Sequence, residues 1–260
     1  MLRDKRKVAQ AFSRAAESYD AVAQLQRDIA DRLLHWLPYR VEGHLLDLGC
    51  GTGYAAPHLR ARYPLAPLLE LDLAHGMLNY ARARRPVANA HYLCADAEQL
   101  PLADACVDLI WSSLAIQWCE QPERLMAELA RVLKPGGRCL VATLGPDSLW
   151  QLKQAWARVD DDVHVNSFMP LQRLLAHSFG LRLVRQEREE RVLRYARLQQ
   201  LMQELKSLGA HNVNPRRQRG LSSRQRLTRL LAAYEQLRQG DGMLPATYEV
   251  YYLELLKEVA

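Results

Sequence analysis

A glycine-rich loop flanked by carboxylates is the part of this sequence best suited to chemistry. The loop spans Asp47 to Gly53 with the sequence DLGCGTG, directly after a short apolar run and before a helical pattern. Glycine lets the backbone turn tightly and approach a ligand, because no Cβ stands in the way. The dinucleotide fingerprint GxGxxG needs its third glycine at position 54, where this chain has Tyr54, so the pattern argues against a bound pyrophosphate.

Two more carboxylates follow the next two apolar runs and are expected to join the loop. Asp72 ends the second run and Asp96 ends the third. In an open parallel sheet, ligands bind beyond the carboxyl ends of the strands, near the point where the strand order reverses. Asp47, Asp72 and Asp96 should therefore converge on one crevice. Carboxylates suit a ligand with free hydroxyls and a cationic centre, since they would repel a diphosphate.

The elements that must position these residues alternate between strand-length apolar runs and helical patterns. The runs lie at 45–49, 66–72, 91–96, 107–113 and 138–144. The clearest helix between them starts at Pro122 and is expected to stop at Lys134 to Gly137. This alternation predicts βαβ units and a parallel sheet that is covered on both faces.

The pattern changes after Pro146. Helices are predicted at 148–158, 170–179, 197–208 and 223–238, and strands at 181–194 and 247–257. Residues from about 196 to 244 are therefore predicted to form a helical insertion before the last strand. Near the start of the chain, apolar spacing predicts a helix across 22–37 that ends at Pro38.

Length and composition describe an ordinary folded chain. At about 150 residues per domain, 260 residues give between one and two domains, so one core with an appended element is expected. With 49% hydrophobic and 25% charged residues, the composition is neither disordered nor collagen-like. No apolar run reaches the roughly 18 residues of a membrane span and the first residues lack a secretory pattern, so a cytoplasmic protein without a membrane partner is expected. Five cysteines without a CxxC pair or metal spacing predict reduced thiols and no metal site.

The net charge of +6 is concentrated in the second half of the chain. Between Leu181 and Arg229 there are thirteen basic and four acidic residues, which gives this segment a charge of +9. A local positive field attracts anionic partners such as nucleic acid, a membrane surface or an acidic protein. A solvated helix face is an equally good interpretation of charge at this density.

The loop and its carboxylates resemble those of the class I S-adenosylmethionine-dependent methyltransferases, across about Leu45 to Leu144. The resemblance implies an α/β, Rossmann-like fold with a mostly parallel, doubly wound, seven-stranded sheet and an N-terminal helical lid. It also implies that the loop glycines line the methionine part of the cofactor, that Asp72 accepts the ribose hydroxyls, and that Asp96 and the Ala97 backbone contact the adenine. The full set of expected cofactor-binding residues is Asp47, Gly49, Cys50, Gly51, Gly53, Asp72, Leu73, Met77, Asp96, Ala97 and Ser113.

Segments outside this core are similar to the malonyl-acyl-carrier-protein O-methyltransferases of biotin synthesis, nearly from end to end. They are AFSRAAESYDAVAQLQ at 11–26, SSLAIQWC at 112–119, LGAHNVN at 208–214, LSSRQRL at 221–227 and PATYEV at 245–250. The resemblance implies one methyltransferase domain over 1–260. Its expected parts are a helical lid at 1–40, a cofactor-binding half at 41–145 and a substrate-side half at 146–260 that contains the basic insertion.

The activity implied by this resemblance is transfer of a methyl group from S-adenosylmethionine to the free carboxylate of a malonyl thioester, carried by acyl carrier protein or coenzyme A. Tyr19 is the expected catalytic residue, because its segment is expected to cover the cofactor and a phenol with a pKa near 10 can donate a hydrogen bond at neutral pH. Packing against a helix end is the alternative role for Tyr19. Arg14, Gln117 and Trp118 are expected on the substrate side.

Acyl carrier proteins are acidic, so the same resemblance assigns the basic insertion to carrier binding. The arginines expected there are Arg216, Arg217, Arg219, Arg224 and Arg226. A monomer that binds no nucleic acid is expected.

Two other functions stay open at this point. One is a methyltransferase for another small acceptor, such as a quinone precursor or a free organic acid. The other is an RNA-binding methyltransferase that uses the basic insertion. RNA binding is disfavoured because aromatic side chains near the arginines are few, chiefly Tyr195 and Tyr234.

Overall fold

A seven-stranded sheet forms the centre of the computed structural model, which describes residues 4–210 and 223–259. Its strands, in chain order, are β1 (Leu45–Leu48), β2 (Leu68–Asp72), β3 (Ala90–Cys94), β4 (Val107–Ser113), β5 (Leu133–Leu144), β6 (Leu181–Tyr195) and β7 (Leu244–Lys257). They are arranged in space as β3-β2-β1-β4-β5-β7-β6. Neighbours among the first five strands of that order are parallel, whereas β7 runs antiparallel to both β5 and β6. The expected mostly parallel, seven-stranded α/β sheet is confirmed.

The strand order reverses between β1 and β4, and this reversal opens a crevice at their carboxyl ends. Two hydrophobic clusters cover the sheet. Leu45 belongs to one cluster and Leu46 to the other, so the clusters lie on opposite faces, since successive side chains of a strand alternate. β1 is consequently buried along its whole length, and the glycine loop starts from a rigid strand.

The helices of the described residues cover these faces and the crevice. They are α1 (Lys5–Val22), α2 (Gln24–Leu34), α3 (Ala56–Arg62), α4 (His75–Arg84), α5 (Pro122–Val132), α6 (Trp150–Ala157), α7 (Leu171–Leu175), α8 (Leu198–Ser207) and α9 (Ser223–Glu235). α8 and α9 lie between β6 and β7 in the chain, which confirms the predicted helical insertion. No helix within the described ranges has the length and apolar content that a membrane crossing requires.

Helix α1 packs against the start of α4, which follows the carboxyl end of β2. Asp4 caps α1 by accepting hydrogen bonds from two backbone N–H groups of its first turn. The contact with α4 is close. Gly76 N donates a hydrogen bond to Ser13 Oγ at 3.1 Å, and a Cβ at Gly76 would lie 2.6 Å from the Ser13 carbonyl oxygen. A residue without a side chain is therefore what lets α1 lie this near the crevice.

The largest differences from the expected element boundaries are at β5 and α7. α5 ends at Val132, which confirms the predicted helix stop before Lys134 to Gly137. β5, however, begins at Leu133 and not at 138, and a register shift between β4 and β5 accommodates the two glycines. The helix predicted over 170–179 is shortened to α7. Phe179 and Gly180 both have positive φ and turn the chain into β6.

Gly76→Ala should displace α1 from α4, because the added methyl group would overlap the Ser13 backbone. Overpacking of this kind costs about 1–3 kcal/mol, and movement of α1 should relieve it without unfolding the sheet. We expect faster hydrogen exchange along α1 with an unchanged far-ultraviolet circular dichroism spectrum. Gly240→Ala is the matched control, since no atom lies within 4 Å of its added Cβ. Unchanged exchange in α1 would show that this close approach does not hold the helix.

Candidate active site

A cavity of about 790 Å³ lies at the carboxyl ends of β1, β2 and β4, beneath α1, and we call it the loop cavity. Its wall includes ten of the residues predicted from the sequence. These are Tyr19, Gly49, Gly51, Asp72, Leu73, Met77, Asp96, Ala97, Ser113 and Trp118. Helix α1 adds Lys5, Val8 and Phe12 to the wall.

The glycine loop closes around Asp72. Gly51 N donates a hydrogen bond to Asp72 Oδ2 at 2.9 Å, and Ala74 N donates one to Asp72 Oδ1 at 2.7 Å. Gly49 and Gly51 have positive φ values of 75° and 55°, and a Cβ at Gly49 would lie 2.1 Å from the Cβ of Ala115. Burial raises the pKa of Asp72, although its backbone hydrogen bonds oppose that rise. The carboxyl group is thus fixed between the loop and the end of β2.

Three of the predicted cofactor residues belong to the loop but are not on the wall of the loop cavity. Asp47 is fully buried, and its carboxyl group has no hydrogen-bond partner among the described residues. Gly53 has a φ of 77°, and its lack of a side chain lets the loop pack against α4. Cys50 borders a smaller adjoining cavity, and burial raises the pKa of its thiol well above the ordinary value. Direct contact of these three residues with a cofactor stays a prediction.

Asp47 and Glu70 form a pair of buried carboxyl groups on neighbouring strands. They lie in register on β1 and β2, and both are fully buried. Burial raises the pKa of Glu70 to about 7. Burial and the neighbouring Glu70 and Asp72 raise the pKa of Asp47 as well. Sequence reasoning missed Glu70, because a glutamate inside an apolar run gives no sign of the carboxyl group that faces it across the sheet.

Tyr19 extends from α1 to a point where the loop cavity meets two other cavities. Burial, Asp72 and Asp20 raise the pKa of its phenol, so the O–H group stays protonated at neutral pH. Tyr19 is therefore available as a hydrogen-bond donor on the wall. Its catalytic role stays a prediction.

A cluster of charged groups holds the start of α1 at the edge of the loop cavity. Lys5 Nζ lies 2.5 Å from Asp96 Oδ2 and 2.6 Å from Glu98 Oε2. Glu98 is buried and also accepts hydrogen bonds from the backbone N–H groups of Glu120 and Gln121. Sequence reasoning missed this cluster, because Lys5 and Asp96 are 91 residues apart in the chain. The ion pairs keep α1 closed over Asp96.

A second cavity of about 1070 Å³, which we call the chamber, lies beside the loop cavity. The two cavities share Phe12, Tyr19, Leu114 and Trp118 on their walls. The chamber wall is largely apolar and comes from α2, α6, the segment 158–170, α8 and β7. Polar side chains interrupt it at Gln26, Gln117, His164 and Asn166. Among the described residues, this wall carries no lysine or arginine.

The residues expected on the substrate side lie in two different environments. Gln117 and Trp118 line the chamber, and the Trp118 ring packs edge-on against Phe12 with 5.1 Å between centroids. Gln117 Nε2 donates a hydrogen bond to the carbonyl oxygen of Leu114 at 2.6 Å. Arg14 is exposed on α1 and lies on neither wall.

The arginines expected to bind a carrier are only partly described. Arg216, Arg217 and Arg219 lie outside the described residues. Arg224 is exposed on α9. From the sequence, Arg226 is expected to be a free surface charge, but it is paired within the fold. Its guanidinium lies 3.3 Å from a carboxylate oxygen of Asp160 and 3.4 Å from one of Asp162. Arg226 therefore ties α9 to the segment 158–170.

The basic residues on β6 are also engaged within the fold. Arg188 pairs with Glu249 of β7, and Arg191 pairs with Glu189 of its own strand. Glu187 lies between two arginines, Arg185 and Arg32. This part of the positive segment is therefore largely neutralised by neighbouring carboxylates.

The chain is similar in sequence to known methyltransferases. A family model described as a methyltransferase domain matches residues 46–141, from the glycine loop into β5. A malonyl-[acyl-carrier protein] O-methyltransferase of Laribacter hongkongensis is 46% identical over 271 residues, an alignment that covers 96% of this chain and 88% of that protein. The chain belongs to the malonyl-[acyl-carrier protein] O-methyltransferase family.

A second relative is about twice as long as this chain. The biotin biosynthesis bifunctional protein BioHC of Cellvibrio japonicus is 49% identical over 257 residues, which is 98% of this chain and 50% of that protein. The chain thus spans half the length of this relative. Among solved structures, the YcgJ protein of Bacillus subtilis is similar with a TM-score of 0.62 and 19% identity, covering 90% of this chain and 100% of that one. With the methyltransferase-domain match, this likeness confirms the Rossmann-like class I methyltransferase fold.

Glu70→Gln should make stability less dependent on pH, because it removes the titrating group and keeps the size of the side chain. A pKa raised from 4.5 to about 7 means that the native state holds the proton more tightly than the unfolded state. The wild-type protein should therefore lose stability as the pH rises from about 4.5 through about 7. Above that range the variant should exceed the wild type by up to roughly 3 kcal/mol, at about 1.36 kcal/mol per pKa unit. Urea unfolding between about pH 5 and pH 9 measures this difference.

The control for this experiment is Glu190→Gln, the same substitution at an exposed position on β6. If the difference in stability between Glu70→Gln and the wild type did not change with pH, Glu70 would not titrate in this range.

Proposed function

We propose that this protein transfers the methyl group of S-adenosylmethionine to the free carboxylate of a malonyl thioester on acyl carrier protein, as a step of biotin synthesis. The names of the relatives supply the substrate class. The structural observation that carries the proposal is the junction at Tyr19, where a glycine-lined cavity with carboxylates on its wall meets an apolar chamber. A cofactor in the loop cavity and an acyl group in the chamber would meet at this junction.

In this proposal, residues 1–260 form one methyltransferase domain with three parts. Residues 1–40 act as the lid, 41–145 hold the cofactor and 146–260 form the substrate side. The cavity walls support this division. α1 covers the loop cavity, the strands from β1 to β4 carry its glycines and carboxylates, and the elements from α6 to β7 build most of the chamber.

The loop cavity fits S-adenosylmethionine. Asp72 is proposed to accept hydrogen bonds from the ribose hydroxyls, and Asp96 with the Ala97 backbone is proposed to contact the adenine. Ser113 Oγ is buried on the wall without a partner among the described residues, so a polar group of the cofactor would satisfy it. The carboxyl groups at the loop favour a cationic sulfonium, because a bound cation would lower their raised pKa values and the ionised carboxylates would attract it where water is excluded.

When bound, S-adenosylmethionine supplies an electrophilic methyl group on a sulfonium that leaves as a neutral thioether. A malonyl carboxylate has an ordinary pKa near 4 and is already ionised at neutral pH, so the chain needs no general base. The chain must instead position the acceptor. Tyr19 is proposed to donate a hydrogen bond at the junction, and the apolar chamber wall would exclude water that weakens the attack of the carboxylate.

Acidic acyl carrier protein is proposed to contact exposed cations on α1 and α9. Arg14 and Arg224 are exposed, and within the described ranges no ion pair engages either side chain. Arg216, Arg217 and Arg219 are proposed to join them. Each charge of this kind contributes about 1 kcal/mol or less, mainly through the rate of association. The proposed working unit is a monomer that binds no nucleic acid.

The decisive experiment is incubation with isotopically labelled S-adenosylmethionine and malonyl-loaded acyl carrier protein, followed by mass analysis of the acyl product. We expect a labelled methyl ester on the carrier and much slower turnover of free malonate, while malonyl-coenzyme A measures the contribution of the carrier itself. Equal turnover of free malonate would favour an enzyme for small organic acids. Tight RNA binding at physiological salt without carrier binding would favour the RNA-binding alternative.

Tyr19→Phe should lower turnover far more than it lowers cofactor affinity, since it removes the proposed hydrogen bond at the junction and keeps the ring. A hydrogen bond to a charged group contributes about 1.5–3 kcal/mol, so we expect a loss of roughly tenfold to a hundredfold in kcat. Tyr39→Phe, at a surface position that is 89% exposed, is the control. Calorimetry of cofactor binding and steady-state kinetics separate the two effects. If Tyr19→Phe kept both the wild-type turnover and the wild-type cofactor affinity, the Tyr19 hydroxyl would have no role in the mechanism.

A further inference from the structure

Two amide side chains on the chamber wall each have a buried oxygen atom without a hydrogen-bond partner among the described residues. Asn166 is only 5% exposed, lies in the segment 158–170, and has no partner for its Oδ1 among the described residues. Gln26, on α2, is on the same wall, and its Oε1 is likewise buried and unpartnered there. Sequence reasoning singled out neither residue.

Such groups are uncommon because an unsatisfied buried polar atom lowers the stability of the folded state. Most buried polar atoms in folded proteins have a partner, so each exception needs a physical reason. Here both exceptions lie on one cavity wall that is otherwise largely apolar. Both unpartnered atoms are acceptors, so an amide that turns and places its NH₂ group there, towards acceptor atoms of a ligand in the chamber, would remove the cost.

The segment that carries Asn166 is held in place although it has no helix or strand around this residue. His164 Nε2 lies 2.6 Å from Asp160 Oδ1, and the His164 ring stacks on Trp156 with 3.5 Å between centroids. Arg226 of α9 also pairs with Asp160. Asn166 is therefore positioned before any ligand arrives, which reduces the entropy lost on binding.

The trio of Asp160, Asp162 and His164 places three ligand atoms within 4.8 Å of one another, but it is not the basis of a metal site here. The guanidinium of Arg226 already lies beside both carboxylates. Its positive charge would repel a cation, so these residues support the wall and Asn166 instead.

The chemistry of the amides suits an acyl group that carries a carboxylate. A primary amide offers two N–H donors, has no net charge, and can turn to present either its oxygen or its NH₂ group. An arginine would bind the anion more tightly, but it would also draw charge from the oxygen that must attack. The chamber wall has amides and, among the described residues, no arginine or lysine. Neutral donors would hold the carboxylate while leaving its charge available for reaction.

We propose that Asn166 and Gln26 form a two-amide site in the chamber, in which their N–H groups donate hydrogen bonds to the oxygen atoms of the malonyl group. The site selects an acyl chain that ends in a carboxylate over one that ends in a methyl ester, because a carboxylate is the stronger acceptor. It therefore favours binding of the substrate over retention of the neutral product. This inference rests on the proposed function.

The test replaces the amide by an isosteric carboxyl group and compares two ligands that differ in charge. In Asn166→Asp, the new carboxylate should repel malonyl-loaded carrier. We expect KM for this substrate to rise about tenfold or more, while affinity for carrier loaded with the malonyl methyl ester falls by no more than about threefold. Cofactor affinity, measured by calorimetry, should stay at the wild-type value. Gln26→Glu should give the same selective pattern, so the test stands if one variant fails to fold.

Gln151→Glu is the matched control, because Gln151 is another buried amide but its partners are the side chain and backbone of Thr247. It lines neither cavity, so it should lower stability without distinguishing the two acyl ligands. Equal weakening of both ligands by Asn166→Asp and Gln26→Glu, or no weakening of either, would overturn the amide site while leaving wild-type methyl transfer intact. Absence of methyl transfer to malonyl-loaded carrier by the wild-type protein would overturn the proposed function and the amide site together.

Discussion

Closure of α1 over the carboxyl ends of the strands is the contact on which both cavities depend. The helix supplies Phe12 and Tyr19 to the wall that the cavities share, so neither cavity would keep its boundary without it. Two unlike interactions hold α1 there. The ion pairs of Lys5 act at its start, and the close packing of Ser13 on Gly76 acts further along. The ion pairs alone would allow many positions of α1, whereas the close packing of Ser13 on Gly76 allows only a few.

Carboxyl groups surround the loop cavity, whereas apolar and amide side chains line the chamber. A methyl transfer of the proposed kind joins a cationic methyl donor and an anionic acceptor, and each cavity suits one of the two. Asp47, Glu70 and Asp72 concentrate carboxyl groups in a buried region at the loop, and burial raises the pKa of each. A cation bound nearby would be stabilised by these groups and would lower their pKa values in return. The chamber has an apolar wall with amides, where an anion would be held without being neutralised. One fold thus provides a place for a positive centre and a place for a negative one, side by side.

The sheet and the glycine loop could be predicted because their signals lie within short windows of sequence. Strand length and the carboxylate at the end of a strand located Asp72, and glycine spacing located Gly49 and Gly51. The rest arises from contacts between distant segments. Asn166 lies in a stretch without periodicity, and nothing near Arg226 in the sequence indicates that it meets Asp160. The glycines after α5 located the end of that helix but did not reveal that they lie in an irregular strand, because helix ends and bulges use the same residue type.

The outermost strand in the sheet order, β6, has consequences that concern neither cavity. Within the described part of the chain it is an edge strand of 15 residues, and an uncovered edge of that length can template pairing with another polypeptide. Arg185, Glu187, Arg188 and Glu190 place charges of both signs along this strand. A second chain that paired with it would have to bury charges that are exposed or already paired. Part of the basic segment therefore protects the native fold against aggregation, which a crowded cell would otherwise promote.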